Sequence, residues 1–189
     1  MKLVLSSNSP RRRELLSGLD IPFEVRLVEG IDESFPADLP TDEIAEFVAG
    51  KKAAAYAAGE DEIIITADTI VVLDGEVLGK PRDMADAANM LRKLSGRTHR
   101  VITGVCVKNP VRRKSFSVVS EVTFKVLSDG EIDYYLSHYK PLDKAGAYGV
   151  QEWIGYIGVT SLSGSYYNVM GFPIQRIYEV LKNDFGVKL

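Results

Sequence analysis

Apolar and polar positions alternate along this chain in a way that divides it into short elements joined by tight turns. Lys2-Leu3-Val4-Leu5 is an apolar run of strand length, and beyond it Leu15, Leu16 and Leu19 fall on one helical face. Ser9 suits an N-cap, Pro10 the first helical position and Gly18 the stop, so the opening reads as strand, tight turn, helix. Residues 23–28 alternate as a second strand and lead into the polar loop Gly30-Ile31-Asp32-Glu33-Ser34. Thr41 is the expected cap of the next helix, with Asp42 and Glu43 in its first turn. On that helix Ile44, Phe47, Val48 and Ala55 share a face. At about 100° per residue Lys51 falls near the middle of that face and Lys52 at its edge, so periodicity favours Lys51 as the inward lysine.

The most apolar stretch, residues 63–73, predicts a long central strand, bent or interrupted at its polar middle, with a hairpin at Asp74-Gly75. Asp83 caps a helix carrying Ala87, Met90, Leu91 and Leu94, which Gly96 ends. Residues 101–107 and 116–126 read as partner strands around a basic turn at 110–114. Ser128 and Glu131 form a capping box for a helix through Tyr139. The glycine-rich stretches 143–151 and 164–171 read as loops that let backbone approach a ligand or another chain. A final helix starts at Pro173 and buries Ile174, Ile177, Val180 and Leu181. No repeat or linker appears, so the 189 residues are expected to form one cooperative domain over 1–189.

Composition narrows the function classes. A hydrophobic content of 46% supports a proper core, and a net charge of −3 disfavours a broad nucleic-acid surface. The single cysteine, Cys106, lies inside an apolar strand and reads as a small buried hydrophobe in a reducing compartment. No stretch is long enough to span a bilayer, and the N-terminus does not read as a signal peptide; a soluble cytoplasmic protein is expected, with no membrane partner.

Chemistry gathers at a few places. Arg11, Arg12 and Arg13 sit in the first turn of a helix, where the dipole makes each cation unfavourable by about 0.3–1 kcal/mol. A shared anion, held by backbone N–H groups, the Ser7 hydroxyl and the guanidiniums, would offset that cost; the plainer reading is a solvated basic end balanced by Glu14. Asp68 is a carboxylate inside the most apolar strand, expensive there unless it meets a cation or a metal; the alternative is an Asp at a bulge bonding its own backbone. Asp32 and Glu33 matter only if the fold returns them to the arginines. Lys80 and Arg82 bring two more cations on a stiff loop. His99 is a candidate base but reads more readily as a hydrogen-bonded structural residue, and His138 has no partner at metal spacing, which argues against zinc.

Taken in order, Ser7-x-Ser9-Pro10-Arg11-Arg12, Ala67-Asp68-Thr69, Gly79-Lys80-Pro81, Gly96-Arg97-Thr98-His99, Asp143-Lys144-Ala145-Gly146-Ala147-Tyr148-Gly149 and the stretch from Gly164 to Gly171 resemble the signatures of the Maf family of nucleoside triphosphate pyrophosphatases. The resemblance implies a mixed α/β fold with a long curved mixed sheet flanked by helices, and two lobes about a central cleft, similar to the inosine triphosphate pyrophosphatases. It implies cleavage between the α- and β-phosphates of a nucleoside triphosphate, dependence on a divalent metal (Mg2+ or Mn2+), and a homodimer as one expected assembly. By the same resemblance Asp68 is the catalytic proton acceptor, and Ser7, Arg11, Glu33, Lys52 and Lys80 line the triphosphate site. Magnesium takes one or two carboxylates plus phosphate oxygens, so Asp68 and Glu33 are the candidate metal ligands, and an Asp68 that holds the metal does so instead of activating the water; the sequence leaves both roles open. Here the family pattern favours Lys52, which precedes an alanine run, over the Lys51 that periodicity prefers.

Three positions separate branches of that family. Arg12, Thr69 and Gln151 resemble the branch acting on dTTP and UTP, whereas the 7-methyl-GTP branch looks different at all three places, with tryptophan, glutamine and glutamate respectively. One departure stands out: Gln151 is followed by Glu152-Trp153-Ile154-Gly155-Tyr156, where many relatives are glycine-rich. The competing readings are a 7-methyl-GTP-type enzyme and a nucleotide-binding regulator of cell division, the second of which has no need of an aspartate inside a strand.

Overall fold

The two most apolar stretches become long strands, and the elements that carry the chemistry are built on them. The computed structural model describes residues 1–188. In chain order the elements are β1 (Lys2–Leu5), α1 (Pro10–Ser17), β2 (Phe23–Val25), α2 (Thr41–Ala54), β3 (Glu62–Leu73), β4 (Glu76–Leu78), α3 (Met84–Leu94), β5 (Thr98–Lys108), β6 (Arg113–Phe124), α4 (Asp129–Tyr139), α5 (Trp153–Gly158), β7 (Val159–Ser163), α6 (Tyr166–Val169) and α7 (Ile174–Phe185), with a 3-10 turn at Ala145–Ala147. The strands are hydrogen-bonded in the order β2-β1-β3-β5-β6-β7, with β4 on β3. β1 pairs parallel with both β2 and β3, while β4 and β7 pair antiparallel with β3 and β6. The expected class, a mixed α/β chain with a mixed sheet flanked by helices, is the one observed.

The chain divides into two compact units: residues 1–68, 103–118 and 171–189, and residues 69–102 and 119–170. Each has its own core. In the first, Leu3, Leu5, Ile63, Ile65, Val105 and Val107 pack with Leu16 and with Ile177, Val180 and Leu181 of α7. In the second, Val71, Leu73, Val101, Val122 and Phe124 pack with Leu91 and Leu94 of α3 and with Ile132 and Tyr135 of α4.

Within the first unit β3 is buried on both faces, which explains its unbroken apolar run. Residues 63, 65 and 67 point to the α7 core, and Ile64, Thr66 and Asp68 alternate to the opposite face. There the Thr66 hydroxyl donates to the Ala49 carbonyl of α2 at 2.7 Å. Helix α2 lies close because the residues between it and the sheet are small. Ala49 and Ala53 pack on Cys106, and a Cβ on Gly104 would stand 2.2 Å from the Ala45 carbonyl carbon. Four helical residues rise about 6 Å and two strand residues about 6.6 Å, so Ala45 over Gly104 and Ala49 over Cys106 keep step.

That packing corrects the expected helix face. Ile44 and Val48 are buried as expected, but the stripe continues through Ala45, Ala49 and Ala53, while Phe47 is 38% exposed and Ala55 is exposed. Small residues, ranked low by hydrophobicity, form the contact because nothing larger fits. Thr41 is the first helical residue rather than the cap: Pro40 precedes the helix, and no side chain caps it. β3 is continuous through its polar middle, and the Asp74-Gly75 hairpin forms as expected, with both residues at positive φ (49° and 83°).

Other expectations hold: Ser9, Asp83 and Ser128 cap their helices, with a full capping box at Ser128 and Glu131. The hydrophobic pattern does not announce α5 and β7, and α6, capped by Ser165, lies inside a stretch expected to be loop. Helices of 6 and 4 residues are too short to display a period.

His99 in the second unit is structural. It is 2% exposed, its Nε2 lies 2.7 Å from the Tyr148 hydroxyl, and its ring packs against Phe124 and Tyr148. Burial lowers its pKa from 6.5 to about 4.

Two measurements check this packing. Gly104→Ala should lose about 1–3 kcal/mol of stability in urea unfolding, the usual cost of overpacking, because backbone rather than a mobile side chain blocks the methyl. An unchanged midpoint would mean that α2 is not seated on Gly104. For His99 the unfolded chain takes a proton below pH 6.5 that the folded chain refuses until about pH 4. The stability from a neutral His99 is therefore complete above pH 6.5 and is lost as pH falls towards 4, by up to about 3 kcal/mol. His99→Gln should flatten stability against pH between those limits relative to the parent; parallel curves would contradict this.

Candidate active site

Period-2 alternation puts Asp68 on the α2 face of β3, two residues beyond Thr66. Three residues beyond Ala49 on α2 comes Lys52. The two meet: Lys52 Nζ donates to Asp68 Oδ1 at 2.8 Å, with side chains only 14% and 17% exposed. The same ammonium lies 3.1 Å from Glu33 Oε1, which is 52% exposed. One cation therefore bridges two carboxylates from different segments, and the in-strand aspartate meets a cation rather than its own backbone.

Lys51 grips the neighbouring loop. Its Nζ donates to Asp32 Oδ2 and to the Ser34 carbonyl, each at 2.8 Å, and Ser34 N–H donates to Asp32 Oδ1 at 2.9 Å. These bonds to Lys51 and Ser34 hold the Asp32 carboxyl well below the usual carboxylate range. Consecutive lysines thus take consecutive acids, Lys51 with Asp32 and Lys52 with Glu33. The fold returns the acidic pair to the lysines of α2, and Lys52 rather than Lys51 reaches the strand aspartate. Periodicity misplaced them because it counted Phe47 and Ala55 as part of the buried face.

Helix α1 contributes from the other side of β1. Arg12 does not sit in solvent at a basic helix end. Its Nε donates to the Gly171 carbonyl and its Nη1 to the Ala67 carbonyl, each at 2.8 Å, with Ser7 Oγ 3.4 Å from Nη1. Burial lowers the Arg12 pKa, and the charge of Asp68 partly opposes that. Arg12 thereby fastens the peptide immediately before Asp68. Ser7 is 6% exposed and its Oγ also accepts from Ser9 N–H at 3.2 Å, so the 7–12 turn is tied to itself and, through Arg12, to β3. Arg11 is close enough to act on the charge of Arg12.

Ser7, Arg11, Arg12, Glu33, Lys52 and Asp68 all belong to the first unit; Thr69, Lys80 and Gln151 belong to the second. Lys80 is exposed after β4, and Thr69 and Gln151 are half-buried.

Among the described residues no three His, Cys, Asp or Glu side chains cluster as a metal cage. Asp68 and Glu33 form a pair of carboxylates converging on one positive charge. That suits a magnesium-type ion, which keeps several waters, takes one or two carboxylates and completes its shell on substrate phosphates.

A model of the family described as Maf-like protein matches residues 2–184. The chain belongs to the Maf-like family. Among its relatives, a protein of Phocaeicola vulgatus called dTTP/UTP pyrophosphatase is 60% identical over 183 residues, covering 96% of this chain and 95% of the relative. One of the same name from Porphyromonas gingivalis is 53% identical over 189 residues, covering 98% and 94%. A more distant likeness, 14% identical with a TM-score of 0.46 across 98% of this chain and 96% of the other, is to a crystal structure titled nucleoside-triphosphatase / dITP/XTP pyrophosphatase from Mycobacterium abscessus.

Residue patterns did not reveal the inward turn of Arg12, nor a buried polar cluster of Tyr135, Lys144 and Glu152 in the second unit of this Maf-like chain.

The Arg12 geometry predicts that Arg12→Lys, which keeps the charge but loses the planar fork, destabilises the fold by about 1–3 kcal/mol through lost hydrogen bonds to two carbonyls. Urea denaturation of the variant checks it. An unchanged midpoint would mean that Arg12 does not fasten the strand.

Proposed function

We propose that this Maf-like chain is a nucleoside triphosphate pyrophosphatase acting on dTTP and UTP, releasing the nucleoside monophosphate and pyrophosphate. The observation that carries the reading is the Lys52 ammonium shared by Glu33 and by Asp68 in the middle of β3. The dTTP/UTP pyrophosphatase name borne by relatives 60% and 53% identical supports the substrate class. Because the family match runs over residues 2–184, residues 1–189 are read as one catalytic domain.

In this proposal Asp68 accepts the proton of the water that attacks phosphorus. Lys52 donates to its Oδ1, and its place is fixed by Arg12 on the preceding carbonyl. Ser7, Arg11, Lys52 and Lys80 bind the triphosphate oxygens, where positioned cations stabilise charge growing on the leaving pyrophosphate. Asp68 and Glu33 would hold a Mg2+ or Mn2+ ion, which supplies further charge neutralisation to the phosphate oxygens. Thr69, Gln151 and, through the backbone it holds, Arg12 select the pyrimidine.

A nucleotide panel with magnesium or manganese, read for pyrophosphate and orthophosphate, tests the reading. UTP and dTTP should give pyrophosphate as first product, and Asp68→Asn should bind nucleotide yet lose at least ~100-fold in turnover. Orthophosphate as first product, or near-parental turnover by a folded Asp68→Asn protein, would overturn it.

A further inference from the structure

Of the two adjacent acids in the loop before α2, Asp32 has both oxygens engaged. Ser34 N–H donates to its Oδ1 at 2.9 Å and Ser34 Oγ to its Oδ2 at 2.8 Å, an Asx turn that spans Glu33. Lys51 Nζ closes the turn from α2, donating to Asp32 Oδ2 and to the Ser34 carbonyl, each at 2.8 Å. Upstream, Val28 N–H donates to the Tyr56 hydroxyl at 3.0 Å, and Ile31 packs on the buried Tyr56, Val4 and Ile64. The loop is therefore held on both sides of Glu33, by Lys51 in the last turn of α2 and by Tyr56 just beyond it.

These bonds do more for direction than for stability. Asp32 is 69% exposed, and an exposed ion pair contributes little to the fold. The Phe47 ring, its centroid 5.9 Å from Lys51 Nζ, adds a contact that is weak at so open a place. What the clamp settles is where Glu33 faces. With Asp32 turned to Lys51, the next side chain meets Lys52 at 3.1 Å and stays 52% exposed, open to a ligand.

We propose that Lys51, acting through Asp32 and Ser34, is a positioning residue that holds the Glu33 carboxylate ready for a divalent metal. The proposal rests on the reading of Glu33 as a metal ligand. A carboxylate on a loose loop must give up its freedom when it takes an ion, whereas one on a fastened turn has already done so on folding and binds more tightly. Groups behind the ligands of a metal set its affinity in this way without touching it. Charge alone would act differently. Removing the lysine leaves Asp32 as an extra negative charge beside the site, which attracts a cation; removing the Asp32 charge leaves an extra positive one, which repels it. Loss of placement weakens the metal in both cases.

The test compares the parent with Lys51→Met, Asp32→Asn and Glu33→Gln, each with its melting temperature. Mn2+ binding is read from the EPR signal of the free ion, with protein in excess over the uncleavable α,β-methylene-UTP, beside the Mg2+ concentration for half-maximal UTP hydrolysis. Lys51→Met and Asp32→Asn should each weaken Mn2+ by ~10-fold, the low end for groups that stand behind metal ligands. Half-maximal Mg2+ should rise with it, while kcat at saturating Mg2+ and the melting temperature stay near parental. Parental affinity in both variants overturns the proposal, and so does tighter Mn2+ in Lys51→Met, the signature of charge alone. If Lys51→Met does not fold, parental affinity in Asp32→Asn overturns it instead. Added to Glu33→Gln, Lys51→Met should change nothing more; a full further loss would mean that it acts without Glu33 and would also overturn the proposal. Glu33→Gln separates the two levels. If it binds Mn2+ as the parent does, Glu33 holds no metal and both readings fall; if it alone loses affinity, only the positioning role is lost.

Discussion

The site of the first unit depends on a single ammonium. Lys52 places one positive charge between Asp68, in the middle of an apolar strand, and Glu33, on a polar loop. Without it, a mostly enclosed carboxylate would face the cost of an uncompensated charge, which for buried pairs runs to about 3–5 kcal/mol when one partner is removed. With it, the carboxylate has a partner and the loop carrying Glu33 is tied to the strand. The position of the ammonium is in turn a packing result. Helix α2 approaches the sheet at alanine-to-glycine distance, and its register against β3 and β5 delivers residue 52, not 51, to Asp68.

The supporting contacts work on backbone as much as on side chains. Arg12 holds the carbonyl before Asp68, Ser7 ties the opening turn, and Lys51 gathers Asp32 and Ser34 so that Glu33 faces the next lysine. The second unit repeats the logic with other groups: Tyr135 and Lys144 hold Glu152, and the turn that Glu152 closes carries Gln151. In both places a charged side chain is fixed by neighbours contributed by separate segments.

Much of this was legible in the sequence. Strand runs, three of the helix caps and the Asp74-Gly75 hairpin follow from local rules, because each depends on neighbours a few residues away; the buried Cys106 and the structural His99 follow from the general behaviour of those residue types, although their partners lie far along the chain. The unusual cost of a carboxylate within residues 63–73 pointed to a cation partner without saying which. The choice between Lys51 and Lys52 was not legible from periodicity, since the face of α2 is set by how closely Gly104 lets the helix approach, and Gly104 lies 52 residues further along the chain. Arg12 was unreadable for the same reason: its acceptors are carbonyls at 67 and 171, and carbonyls leave no mark in a sequence. Helix α5 and strand β7 are too short, and too rich in glycine and serine, to show a period.

The central claim is that Lys52 and Asp68 act as one unit. A double-mutant cycle with Lys52→Met, Asp68→Asn and the combined variant, measured as kcat/KM for UTP with magnesium, tests it most directly. Each single change breaks the same pair, so the account predicts that the combined variant loses clearly less than the product of the two single losses, although Lys52 also binds phosphate oxygens. Losses that multiply would mean that the lysine and the aspartate serve the reaction separately, and would contradict the account.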